Sequence, residues 1–169
     1  MRSLFRTTVL VLTLTFFHSF ASAQKLTTAL ELNDYLASFT DSLYAGGQAW
    51  GKALEKAIES KNYSSLALYR GRMEKFIERK RIEVVTMKDI GGSEKLRIAM
   101  LDFLGFEARM VQGTFLTFEK FNSKTPESEI DKAIALLQDL SATESEFLSE
   151  VKKAQIAYAA KNGFIVEEE

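Results

Sequence analysis

Residues 27–60 read TTALELNDYLASFTDSLYAGGQAWGKALEKAIES, and this stretch decides the fold. Leu32, Leu36, Phe39, Leu43, Gly46, Trp50, Ala53 and Ala57 recur at alternating steps of four and three. An α-helix returns to the same face at that spacing, so these positions form one apolar seam. Leu54 and Ile58 widen it. The spacing predicts one long helix over 27–60, broken at Lys61-Asn62.

The same periodicity continues outward, with no sustained alternation of the kind a strand shows. Asn62 or Ser64 can cap a second helix ending near Ile90, with Leu66, Tyr69, Met73, Phe76, Ile77, Val84 and Met87 on its apolar side. Gly91-Gly92 is the clearest break, because glycine takes the left-handed geometry that ends a helix. Ser93 then reads as an N-cap for a third helix carrying Leu96, Met100, Phe103, Leu104, Met110, Val111, Phe115, Phe118 and Phe121. Residues 122–125 make a loop, Pro126 suits a helix start, and a fourth helix runs to Asn162-Gly163. Four long helices on short loops predict an all-α protein, an antiparallel up-down-up-down four-helix bundle.

The first 23 residues have a different character. Arg2 and Arg6 precede the uncharged run VLVLTLTFF at 9–17, and Ala21-Ser22-Ala23 forms a small-residue cleavage site. That order describes a secretory signal peptide over 1–23, and the compact leader suits a bacterial source. The expectation is an exported chain, periplasmic, at the cell surface or secreted, with residues 24–169 as a single domain. No other segment is apolar enough to suggest a membrane span.

Composition narrows the chemistry. The chain has no cysteine, and its one histidine, His18, lies in the leader. Thiolate and imidazole metal sites, disulfides, and cysteine–histidine or serine–histidine nucleophiles are therefore excluded from residues 24–169. A net charge of −1 for the whole chain lacks the electrostatic footprint of a nucleic-acid binder. No cofactor or metal is expected.

Folding the helices antiparallel about their turns brings Gly46, Phe76, Glu107 and Glu144 to one level, halfway along the bundle. The apolar seams fail there. Glu107 and Glu144 occupy seam positions, Ser141 lies one turn away, and Gly46 and Gly47 remove side-chain volume beside Trp50. Lys75, Arg79 and Lys80 lie near the same level on the second helix. Buried acids are costly unless paired, so three readings stand: a structural ion-pair network with those bases, a polar ligand pocket between helices, or a catalytic carboxylate pair. The candidate site is Gly46, Gly47, Trp50, Lys75, Arg79, Glu107, Ser141 and Glu144. The basic residues of the second helix, interleaved with Glu74, Glu78 and Glu83, read otherwise as a solvated salt-bridge face.

Three segments carry a resemblance: F-x-x-x-N at Phe118 and Asn122, the helix start from Pro126 to Ile134, and Q-x-x-Y-A-x-K-N-G-F over 155–164. Together they resemble a family of uncharacterised bacterial helical surface proteins first labelled in spirochaetes. The resemblance implies an exported helical bundle and carries over no catalytic residue. The expectation is a non-enzymatic interaction or small-ligand-binding module, its partner a protein or small molecule. The alternatives are an enzyme using Glu107 and Glu144, or a purely structural adaptor.

Overall fold

The computed structural model describes residues 26–166. The leader over 1–23 and the closing Glu167, Glu168 and Glu169 lie outside the described residues. Four long helical segments make up the fold, with no strand among the described residues.

Helix α1 spans Ala29–Ser60. Thr28 caps it, its hydroxyl accepting from the Glu31 amide while the Glu31 carboxylate accepts from the Thr27 and Thr28 amides. This T-x-x-E box satisfies orphan amides at both ends of the exchange. The seam is buried as the spacing predicts: Leu32, Leu36, Phe39, Leu43, Trp50, Ala53 and Ala57 all lie in the core, as does Leu54.

Helix α2 spans Leu66–Thr86, ending short of the expected Ile90. Neither Asn62 nor Ser64 caps it; the Asn62 side chain closes its own turn by accepting from the Ser64 amide at 3.2 Å. Past Thr86, tertiary partners hold the carbonyls of the connecting segment. The Arg97 guanidinium donates to the Met87 carbonyl at 2.9 Å, and the Tyr158 hydroxyl donates to the Ile90 carbonyl at 2.7 Å. Gly91 and Gly92 then turn the chain at φ 61° and 75°. Ser93, expected as a side-chain cap, instead donates its hydroxyl to Asp89 at 2.9 Å.

Helix α3 spans Glu94–Met110. It was expected to run unbroken to Phe121. Instead it widens into a π-helical turn over Val111–Phe115 and closes with a short turn over Leu116–Phe118. Helix α4 spans Glu127–Asn162, starting after Pro126 and ending on the left-handed Gly163 at φ 75°.

Consecutive helices run antiparallel. Phe39 meets Phe76 and Gly46 meets Met73 between α1 and α2. Glu74 accepts from Gln112, and Arg70 pairs with Glu119, across α2 and the α3 segment. Phe106 stacks on Phe147 at 4.9 Å, while Tyr158 reaches Ile90, between α3 and α4. Burial is uneven. In α4 only Ala133, Val151, Tyr158 and Ala159 are buried, and Leu136 is half exposed. Helix α4 lies mainly along α3 and touches α1 sparingly.

Candidate functional site

Because α4 sits mainly against α3, a cleft of about 450 Å³ remains between its middle and α1. Leu43, Gly47, Trp50 and Gly51 of α1 form one wall, Leu137, Ser141 and Glu144 of α4 the other. Glu107, Met110 and Phe115 lie between them, with Met73 contributed by α2. The exposed Tyr44, Gln48, Lys52 and Glu55 edge the mouth, where the Gln48 amide donates to the Tyr44 hydroxyl at 3.1 Å.

Glu107 is 1% exposed, and Glu144 is half-buried beside it. The two carboxyls lie within hydrogen-bonding reach. Carboxylate oxygens only accept, so this contact is a bond only when one group carries a proton. Burial pushes the Glu107 carboxyl up to about 8, helped by the charge and hydrogen bond of Glu144. Burial also raises Glu144, opposed by its bond to Glu107. Near neutral pH Glu107 therefore keeps its proton, which it can donate to Glu144.

The expected bases do not reach this pair. Among the described residues neither acid makes a salt bridge. Lys75 is exposed on the outer side of α2 beside Glu78 and Ile82. Arg79 lies 3.8 Å from Glu83 with most of its side chain in solvent. The Lys80 ammonium is 4.6 Å from the Tyr35 and Phe39 ring centres and donates to Tyr35 and Glu83. The reason is rotational: Met73 and Ile77 face the core, which turns Lys75 and Arg79 outward on the same helix. The ion-pair reading of the polar layer is thereby corrected, and Lys75 and Arg79 leave the site. Gly47, Trp50, Glu107, Ser141 and Glu144 come together, and Gly46 lies behind them.

The glycines divide by role. A Cβ at Gly46 would stand 3.0 Å from Met73 Cγ, so glycine there lets α2 approach. A Cβ at Gly47 or Gly51 would meet nothing within 4 Å. Neither fold contact nor backbone geometry requires glycine at these two positions, and each costs helix stability of about 0.5–1 kcal/mol relative to alanine. What they leave is open space in the cleft wall.

Trp50 is 2% exposed and stacks on Phe115 with ring centres 3.7 Å apart and planes 9° from parallel. The wide turn explains the meeting. In a regular α-helix Phe115 would stand about 80° around the axis from Glu107; the π-turn unwinds that offset and brings the ring over the same face. π-Turns of this kind interrupt helices at functional sites more often than elsewhere. Nothing in the spacing around Gly113 announces one, so Phe115 reads from sequence as ordinary core. Met73 and Met110 likewise read from sequence as apolar helix positions, and nothing in the spacing singles out Tyr44.

Two buried polar atoms in the cleft wall have no hydrogen-bond partner: Trp50 Nε1, a donor, and Glu107 Oε1. Asn33 Oδ1, the Tyr63 hydroxyl and Arg97 Nε are also unpartnered, but none of these three residues lines the cleft. Buried polar atoms are nearly always satisfied, so two orphans on one cleft mark it out. Larger depressions, of about 800 Å³ and 820 Å³, lie along α3–α4 and α2–α3, but no unpartnered buried atom belongs to their walls. No group of metal-binding side chains forms among the described residues, and no helix among them is long and apolar enough to cross a membrane.

Fold and site together define an all-α four-helix protein with an acidic, aromatic-lined cleft at mid-height. No family model, curated protein or solved structure matches the chain.

Proposed function

We propose that the protein is an exported, non-enzymatic small-molecule-binding module of the periplasm or cell surface, with the mid-bundle cleft as its site. The observation that carries this reading is the pair of unpartnered buried atoms, Trp50 Nε1 and Glu107 Oε1, on one cleft that Gly47 and Gly51 keep open. Its size falls within the roughly 300–1,000 Å³ of small-molecule sites, and apolar walls with a few convergent polar groups are their usual make-up. Export rests on the leader-like residues 1–23, with which the resemblance to exported helical surface proteins agrees.

Native mass spectrometry of the purified protein after exposure to pooled metabolites tests the reading. A small molecule held by the wild type and lost in Gly47→Leu supports it, since a side chain at Gly47 enters open space rather than the core. Equal retention by both proteins, or retention by neither, overturns it.

The Glu107 proton favours one second reading. Glu107, protonated near neutrality, and Glu144 can divide acid and base roles in catalysis. Turnover of a bound metabolite that Glu144→Gln abolishes would replace binding with chemistry.

A further inference from the structure

We propose that the cleft takes an organic ammonium ion, its charged head held on the Glu107–Glu144 carboxyl pair and its apolar body lying along the Trp50 and Phe115 side of the cleft. The inference rests on the binding-module reading above and names the ligand class.

The charges around the cleft exclude the other classes. On α1 the titratable groups facing it are Tyr44, Lys52 and Glu55; on α3, Glu107; on α4, Glu144; α2 presents only Met73. Lys52 and Glu55 are both exposed at the mouth, away from the buried carboxyls, and among the described residues make no salt bridge there. The interior is left with two carboxyls and no cation. A carboxylate or phosphate ligand would add a third negative group to a buried pair that already cannot ionise fully. A neutral alcohol would satisfy Glu107 Oε1 and leave the Glu107 proton in place, gaining no charge interaction. An ammonium supplies three donors to the facing oxygens and the positive charge the pair lacks.

The same protein shows this chemistry once already. The Lys80 ammonium sits over the Tyr35 and Phe39 rings and donates to Glu83 and the Tyr35 hydroxyl. Rings and a carboxylate receive an ammonium there; the cleft offers rings and two carboxyls that no cation among the described residues pairs with.

Binding has a proton balance. Glu107 holds a proton near neutrality when the cleft is empty, and an ammonium against its oxygens favours the ionised form. One proton then leaves for solvent per ligand bound. Affinity therefore rises with pH up to about 8, where Glu107 ionises without help, by about tenfold per pH unit below that.

The test uses three matched probes: tyramine, its neutral counterpart tyrosol, and its carboxylate counterpart phloretic acid. Titration calorimetry on the whole protein, in buffers of different ionisation heat, reads affinity and protons together. The expected result is that tyramine binds at least about tenfold more tightly than tyrosol, with about one proton released near pH 7. Glu107→Gln should lower tyramine affinity at least about tenfold and cut the released proton toward zero, with the helical spectrum intact, because glutamine copies the shape of the protonated acid. Tyrosol or phloretic acid binding as well as tyramine overturns the ammonium inference while leaving the small-molecule site standing. Binding of tyramine without proton release, or unchanged in Glu107→Gln, places it outside the dyad and overturns the inference too. Binding of none of the three overturns it, while the binding-module reading stands or falls separately on the mass-spectrometric comparison of wild type with Gly47→Leu.

Discussion

Glu107→Gln separates the energetic cost of the polar layer from everything else in the fold. In the unfolded chain Glu107 loses its proton near the ordinary value of 4.5, and in the native protein near 8. Between those values the native state holds a proton that the unfolded state has lost, so stability falls as pH rises through the window and is level on either side. Each unit of separation is worth about 1.4 kcal/mol, which sets an upper limit of about 5 kcal/mol. Glu144 shares the titration, so the expected loss is on the order of 3 kcal/mol between about pH 5 and pH 9. Glutamine presents a neutral donor to Glu144 at every pH. The variant should match the wild type near pH 5 and exceed it by about 3 kcal/mol near pH 9, equivalent to about 6–12 °C in Tm for a domain of this size. Other carboxyls bend the curve at the acid end. Glu31 is held low by the Thr27 amide and Asp89 by the Ser93 hydroxyl, and their contributions disappear as pH falls. They are common to both proteins, so the difference between the two denaturation series isolates Glu107. Parallel pH profiles for wild type and variant would refute a buried proton on Glu107.

Gly47→Ala and Gly51→Ala should each raise stability by about 0.5–1 kcal/mol in urea unfolding, since the added methyl meets no atom and the helix gains propensity. Gly91→Ala should do the opposite and cost at least about 1–2 kcal/mol: its backbone is left-handed, and its Cβ would stand 2.3 Å from Asn162 Oδ1. Leu36→Ala should cost about 2–5 kcal/mol, because Leu36 is wholly buried in the α1 seam; a value within about 0.5 kcal/mol would place α1 wrongly. Processing should leave Gln24 as the first residue, which intact mass, allowing for cyclisation of that glutamine, reads directly.

How far the site was legible depended on which kind of information placed each residue. The seam of α1 is a local pattern, and local patterns survive folding. Gly91, Gly92 and Gly163 sit at turns whose left-handed backbone glycine adopts without the strain that Lys61 bears at the end of α1. The meeting of Glu107 with Glu144 followed from chain reversal alone: short turns set the register of antiparallel helices, and residues equidistant from a turn come level. Rotation about the helix axis was harder. Level placed Lys75 and Arg79 with the acids, but their azimuth on α2 turned them to solvent. Two departures lay beyond pattern altogether. Helix α2 ends at Thr86, and the segment beyond it is held through its carbonyls by Arg97 and Tyr158, which are distant in sequence. The π-turn at Val111–Phe115 sits among residues that would also suit a plain α-helix, and only tertiary contacts select between the two windings.

That wide turn amounts to one surplus residue locked into a helix. On one side Gln112 is tied to Glu74 at 3.1 Å; on the other Glu119 is tied to Arg70, and Phe118 sets its ring edge-on to Trp50. Deleting Gly113 would remove that surplus and let the segment rewind as a regular helix, with Phe115 and everything beyond it at nearly the azimuth they hold now. The tie of Glu119 to Arg70 and the stack of Phe115 on Trp50 could both be kept. Adding a residue to a plain helix normally turns all that follows by about 100°; here the wide turn confines the extra residue to five positions. The segment therefore tolerates a one-residue change of length without disturbing the cleft on either side of it.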